Sequence, residues 1–494
     1  MKRLIPAVLI PLFLSVWAAA AAPRVVELPG KSPLVTIRLV FTTGAACDPA
    51  DKPGVANLTA SLLANGGTKE QTYKQLVDLL YPMAAEISSS TDKEMTVFVG
   101  QTHVDNLEAF YGVMREALLH PGWRADDFAR VRDNTLNALK VGLRGNNDEE
   151  LGKEELYGLL YAGRPYAHEN LGTVAALNGM TLEDLQAFYR LHYTQKNLMI
   201  GLAGGYPPEF AARVRKDLAA LPEGTGSGCA SPAPEVLARN QVTLVEKDTR
   251  SVAWSLGFPI AVKRGDPDYA ALLVAQSWLG QHRLSGRLFE RMREVRGLNY
   301  GDYAYIEYFP QGMFRFEPTP NLARSRQIFQ IWIRPVEPPN AAFALRLAMY
   351  ELDRVVREGI PAADFERTRA FLSKNVNVLM STKSAELGYL LDSAWYGIPS
   401  YTEYIKAELA KLTVEDVNRA IRKHLRGDRI QIVGVAKDTA KLKEQLTADL
   451  ATPITYNSPK PKDVTDEDKV VEQWPLHLRP QDVTVVPVGQ VWEK

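Results

Sequence analysis

Near its middle the chain reads Arg287-Leu288-Phe289-Glu290-Arg291-Met292-Arg293-Glu294-Val295-Arg296-Gly297-Leu298-Asn299-Tyr300. Guanidinium and phenol groups both donate hydrogen bonds, and both suit a carbonyl oxygen that becomes anionic in a tetrahedral state. On composition alone, the arginines form a solvated basic helix face and Tyr300 is a half-buried strand residue. Other chemistry is sparse. The histidines, His103, His120, His168, His192, His282, His424 and His477, include no pair at the three- or four-residue spacing that puts two imidazoles on one helical face for a metal. His168 beside Glu169 reads as a solvated loop pair. No G-x-S-x-G elbow is present and neither cysteine has a neighbouring histidine, which disfavours an unrelated hydrolase.

The chain that must position these residues has 494 residues, 46% hydrophobic and 23% charged, with 34 Gly and 31 Pro, which excludes disorder and collagen. Its length suits two large domains or about three ordinary ones. Lys plus Arg and Asp plus Glu both number 58, so no global field draws the protein onto nucleic acid or anionic lipid. Residues 1–22 form a secretory signal peptide by pattern: Lys2 and Arg3, an apolar stretch from Leu4 to Trp17, then small residues from Ala18 to Ala22. No other segment is long and apolar enough to span a bilayer, so a soluble periplasmic or secreted protein is expected. Cys47 and Cys229 exclude an all-cysteine metal cluster; they form one disulfide or stay unpaired, and sequence does not choose.

Residues 222–236, dense in Gly, Ser and Pro, read as a linker between residues 23–221 and 237–450, with residues 451–494 an extended tail whose end, Val483 to Val491, could pair as an edge strand. The two halves repeat weakly. Gly163-Arg164-Pro165-Tyr166, Thr181-Leu182-Glu183-Asp184, His192 and the apolar run 197–204 recur as Gly397-Ile398-Pro399-Ser400, Thr413-Val414-Glu415-Asp416, His424 and the run 429–436. The offset is 234 at the prolines and 232 at the threonines. Each T-x-E-D segment predicts a helix with Thr as N-cap and acids in its first turn. Strands are expected over 34–42, 95–99, 242–246 and 252–258, and helices over 126–143, 269–278, 341–358 and 363–379. The mixture implies α+β halves, each an antiparallel sheet covered by helices.

Gly54-Val55-Ala56-Asn57-Leu58-Thr59-Ala60-Ser61-Leu62-Leu63, followed by Gly66-Gly67-Thr68, resembles the motif helix of the pitrilysin/insulinase family of zinc metallopeptidases, whose active members carry H-x-x-E-H there. In that motif two His four apart bind zinc and the Glu is the base toward metal-bound water. Here the three positions are Asn57, Ala60 and Ser61, and the family's third ligand, a Glu on a later helix, falls at Ala138. Residues 287–300 resemble the family's R-L-F-x-x-x-R-E-x-R-G-L-x-Y stretch, whose Arg and Tyr bind substrate and polarise the scissile carbonyl. By position these are Arg293 and Tyr300.

The resemblance runs over about residues 33 to 445, Gly172-Thr173 included. It implies two homologous α+β domains that meet a second such pair around a chamber. Some bacterial members split the active site between a zinc-bearing chain and a chain bearing the Arg and Tyr, and this sequence looks like the second kind. It is also similar to the non-catalytic subunit of mitochondrial processing peptidase in lacking ligands, without that subunit's Gly-rich loop. The implied function is the non-zinc subunit of an exported heterodimeric peptidase that binds unfolded peptide. Arg293 and Tyr300 would be the catalytic contribution, no cofactor would sit on this chain, and zinc would sit on a homologous partner. The alternative is a catalytically inert peptide-binding or scaffolding protein of the cell envelope.

Overall fold

The computed structural model describes residues 23–226, 228–229, 231–280, 286–312, 318–448 and 450–494. The expected signal peptide and His282 lie outside the described residues. Five strands make the first sheet: β1 (Arg24–Pro29), β2 (Leu34–Phe41), β3 (Ile87–Thr91), β4 (Thr96–His103) and β5 (Leu198–Gly204). The second holds β6 (Gln241–Glu246), β7 (Val252–Ile260), β8 (Asp302–Tyr305), β9 (Gln327–Val336), β10 (Gln431–Ala436) and β11 (Val483–Pro487). The orders are β1-β5-β2-β4-β3 and β11-β6-β10-β7-β9-β8, so the second sheet repeats the first strand for strand and adds β11 at one edge.

Both halves are α+β, as the pattern implies, but neither sheet is purely antiparallel. The first two strands of each half run in opposite directions, and the last strand of that half inserts between them. It must therefore lie parallel to one of them, giving parallel pairs β1/β5 and β6/β10; β11 joins β6 in parallel as well. All other pairs are antiparallel.

The helices that matter for position are α1 (Val55–Asn65), α2 (Ala125–Asn137), α3 (Asp148–Leu160), α4 (Leu182–His192), α5 (Tyr269–Gly280), α6 (Ala341–Glu358), α7 (Ala362–Leu379), α8 (Lys383–Tyr396), α9 (Val414–His424) and α10 (Lys462–Val471). The repeated T-x-E-D segments start α4 and α9 with full capping boxes, Thr181 with Asp184 and Thr413 with Asp416, each satisfying orphan N–H groups at the helix start.

Two repeat-equivalent helices cross between the halves. Helix α3, from the first half, packs on β7, β10 and β9 of the second sheet, and α8, from the second half, packs on β5, β1 and β2 of the first. Gly152 of α3 faces β7; a Cβ there would come within 3.1 Å of Ser255 Oγ. On α8, Leu387 and Leu391 are buried with Val40, Val97, Met199 and Ala203 of the first sheet. Each such side chain stabilises the contact by roughly 1.5–3 kcal/mol.

Residues 451–494 contain α10, and their end returns to the first half. Val174 N–H donates to the Trp492 carbonyl (3.0 Å), Ala175 N–H to that of Glu493 (2.9 Å) and the Arg144 guanidinium to that of Val491 (2.9 Å). Val491 and Trp492 join the apolar core of the first half.

Candidate functional site

Helix α1 begins after Gly54, whose φ of 96° is a left-handed conformation that glycine adopts without strain. Asp48 caps it: Gly54 N–H donates to Oδ2 (2.6 Å) and Ala56 N–H to Oδ1 (2.9 Å), placing a carboxylate against the positive end of the helix. Asn57, Ala60 and Ser61 share one face by spacing. Asn57 and Ser61 are half-buried, and Ala60 is 1% exposed. Helix α2 packs against α1 through a face that buries Val131 and Thr135. Ala138 follows α2 in a π-helical turn, Ala138–Leu143, and is exposed while Leu139 turns inward. None of these four positions carries an imidazole, thiolate or carboxylate, so they do not fit zinc. Among the described residues, one set of three His, Cys, Asp or Glu groups comes within 4.8 Å of one another, namely Cys47, His192 and Cys229, none of them one of these four positions.

The basic segment is not a uniformly solvated face. A π-helical turn covers Phe289–Glu294. Arg287 Nε donates to Glu351 Oε2 (2.7 Å) and Arg291 Nε to Glu351 Oε1 (2.9 Å), on a carboxylate of α6 with no exposure to solvent. Arg291 also pairs with Glu467. Arg296, fully buried, donates to Glu467 Oε2 and Asp468 Oδ1, both at 2.8 Å. Glu467 and Asp468 lie on α10, so the segment after residue 450 helps to build this site.

Arg293 differs from its three neighbours. Its guanidinium carbon stands 4.8 Å from the centroid of the Phe289 ring and 5.8 Å from that of Tyr300, within cation–π range of both. Its nearest carboxylate is Glu294, at 3.8 Å. Tyr300 is 77% exposed and lies outside any strand, contrary to the half-buried strand residue that composition suggests. Glycines at both ends of its loop have positive φ, 69° at Gly297 and 140° at Gly301. Asn299 and Asp302 clasp the loop: Asn299 Nδ2 donates to Asp302 Oδ1 (2.8 Å) and to the Arg334 carbonyl (3.0 Å), while Gly301 N–H donates to Asn299 Oδ1 (3.0 Å). Burial pushes the Asp302 carboxyl up to about 8.

Sequence reasoning missed the charges that join the halves. Arg324 pairs with Asp92, Ser325 N–H donates to Glu94 Oε1 (2.8 Å), Tyr308 OH donates to Glu154 Oε1 (2.6 Å), and Lys153 donates to the Phe309 carbonyl (2.7 Å). All of these ionisable groups are buried. Burial, then Glu169, pushes the Glu154 carboxyl up to about 8. The disulfide left open by sequence is made: Cys47 and Cys229 are bonded, with Cα atoms 5.1 Å apart.

Comparison with known proteins follows the same division. Residues 25–167 match the family described as Insulinase (Peptidase family M16), and residues 179–372 match the Peptidase M16 inactive domain. An uncharacterised zinc protease of Mycobacterium tuberculosis is 24% identical over 456 residues, spanning 87% of this chain and 97% of the relative. The probable mitochondrial-processing peptidase subunit beta of Arabidopsis thaliana is 23% identical over 50% of this chain and 46% of its own length. A peptidase M16 inactive domain from Pseudomonas fluorescens superposes with a TM-score of 0.71 at 25% identity, covering 85% of this chain and 96% of that one. The first half of the periplasmic protease PqqL from Escherichia coli gives 0.66 at 14% identity, over 91% and 95%.

Proposed function

Because the chain belongs to the insulinase family of peptidases, family M16, we propose that it is the non-zinc subunit of an exported heterodimeric peptidase. In this reading a homologous zinc-bearing subunit is the partner and unfolded peptide is the substrate. One observation carries the proposal. In a run where Arg287, Arg291 and Arg296 are held by buried acids, Arg293 stands beside an exposed tyrosine, each with N–H or O–H groups to donate. The positions that hold zinc in active relatives cannot do so here, so no step runs through a metal on this chain.

Arg293 and Tyr300 bind the peptide carbonyl next to the scissile bond. As that carbon becomes tetrahedral the oxygen gains negative charge, and both donors strengthen their hydrogen bonds to it. The partner supplies zinc and the base. Export is supported by the signal-like first 22 residues and by a disulfide, which persists in oxidising compartments such as the periplasm or extracellular medium. The test is peptide hydrolysis by the chain alone, by a zinc-bearing homologue alone and by the mixture. Activity is expected in the mixture, at a rate well above the sum of the separate chains. Additive rates would instead leave an inert peptide-binding or scaffolding protein.

A further inference from the structure

The group Cys47, Cys229 and His192 has no part in that function, although their side chains converge from three separate elements. Cys47 closes the short 3₁₀ turn Ala45–Cys47 ahead of α1, Cys229 lies in the segment between the halves, and His192 is the last residue of α4. The two sulfurs and an imidazole nitrogen all lie within 4.8 Å of one another, and each residue is half-buried, within reach of small solutes. The imidazole is held in place by the Phe188 ring, with centroids 4.3 Å apart.

We propose that Cys47, Cys229 and His192 form a second, redox-gated metal site, which is closed while the disulfide stands and takes one zinc ion once the disulfide is reduced. Two thiolates and one imidazole are a donor set that zinc prefers, and the fourth tetrahedral position is left to solvent. With Zn–S bonds of about 2.3 Å, the sulfurs of a tetrahedral site stand about 3.8 Å apart. Cα atoms 5.1 Å apart keep both sulfurs close enough to share one ion once side-chain rotation separates them. A dithiol reductant supplies two electrons and two protons. The Cys47–Cys229 bond breaks, the reductant closes its own disulfide, and each cysteine sulfur is left as a thiol. Zinc then binds both sulfurs as thiolates and releases two protons to solvent. The metal replaces the covalent staple between the inter-half segment and the loop leading into α1, so either redox state keeps that loop tied down.

The site is distinct from the motif face of α1, and its test does not depend on peptidase activity. The full chain, with its disulfide intact and after reduction with a dithiol that is then removed under anaerobic conditions, is titrated with zinc and separately with cobalt(II). The expected result is one zinc per reduced chain, a thiolate-to-cobalt charge-transfer band, and no stoichiometric binding by the oxidised chain. His192→Gln, which leaves the disulfide able to form, should weaken zinc binding by the reduced protein at least tenfold. Cys47→Ser with Cys229→Ser should abolish it. Failure of the reduced chain to bind zinc overturns the proposal, as does equal binding by oxidised and reduced protein or by His192→Gln and wild type.

Discussion

Arg324 of the second half forms a bidentate ion pair with Asp92 of the first, with Nε 2.7 Å from Oδ2 and Nη2 closing on Oδ1, and both side chains are shut off from solvent. Asp92 sits in the turn between β3 and β4, and Arg324 lies just before β9, so the pair fixes one sheet against the other. Together with the crossing of α3 and α8, it makes the two halves a single frame on which the loop carrying Tyr300 is mounted.

Truncating one partner leaves a buried, unpaired charge, which costs about 3–5 kcal/mol. Arg324→Ala or Asp92→Ala should therefore lower the unfolding free energy by that order in denaturant titration. A loss under about 1 kcal/mol would show that the pair does not hold the halves together.

The buried carboxyl of Glu154 has a folded-state value of about 8 against an ordinary 4.5. Between those values the folded state holds a proton that the unfolded state has released, so stability falls as pH rises through that window. Glu154→Gln removes the effect while keeping a group able to bond Tyr308. Its unfolding free energy should decline less than that of wild type from about pH 5 to about pH 9. Asp302, also pushed up to about 8, leaves part of the slope in the variant. Parallel pH profiles for variant and wild type would contradict the burial of an acid at this position.

The disulfide closes a span of 182 residues, so its removal releases much chain entropy in the unfolded state. Cys229→Ser should cost about 2–4 kcal/mol in chemical unfolding. An unchanged midpoint would mean that the bridge does not constrain the chain.

With the disulfide intact, the purified chain should hold well under one zinc per molecule by metal analysis. Ala60→Glu, the change that would restore the motif's base, places a carboxylate at a position only 1% exposed. Overpacking alone should cost about 1–3 kcal/mol. One tightly held zinc in the oxidised wild type, or no loss of stability in Ala60→Glu, would contradict this account of α1.

Much of the fold was legible because it is local. Apolar runs marked β2, β4, β6, β7 and β10, and the Thr-initiated helices α4 and α9 follow from capping chemistry that needs only four residues to state. The repeat showed that the halves correspond, and the sheets have the same strand order. What sequence could not show was non-local. Glu150, Lys153 and Glu154 have the spacing of a solvated helix face, yet α3 is covered by the opposite sheet and buries them. Asp92, Lys93 and Glu94 are three consecutive charged residues, and they lie buried at the junction with Arg324 and Ser325. The acids on α10 that hold Arg291 and Arg296 come from a segment whose Pro and charge content suggested an extended tail. No spacing rule brings His192 to Cys47 and Cys229, which are far from it in sequence and from each other.

The shared-site reading rests on Arg293 and Tyr300, and steady-state peptide cleavage by the reconstituted complex tests it most directly. Tyr300→Phe deletes one hydroxyl from an exposed ring, and Arg293→Ala removes a guanidinium that bonds no buried acid, so folding and partner binding should survive both changes. The expected result is a fall in kcat of about 10²–10³ for each, near the ~2.7–4 kcal/mol attached to one donor of a preorganised oxyanion site, with KM little changed. Wild-type rates for both variants, in a complex that still assembles, would contradict it.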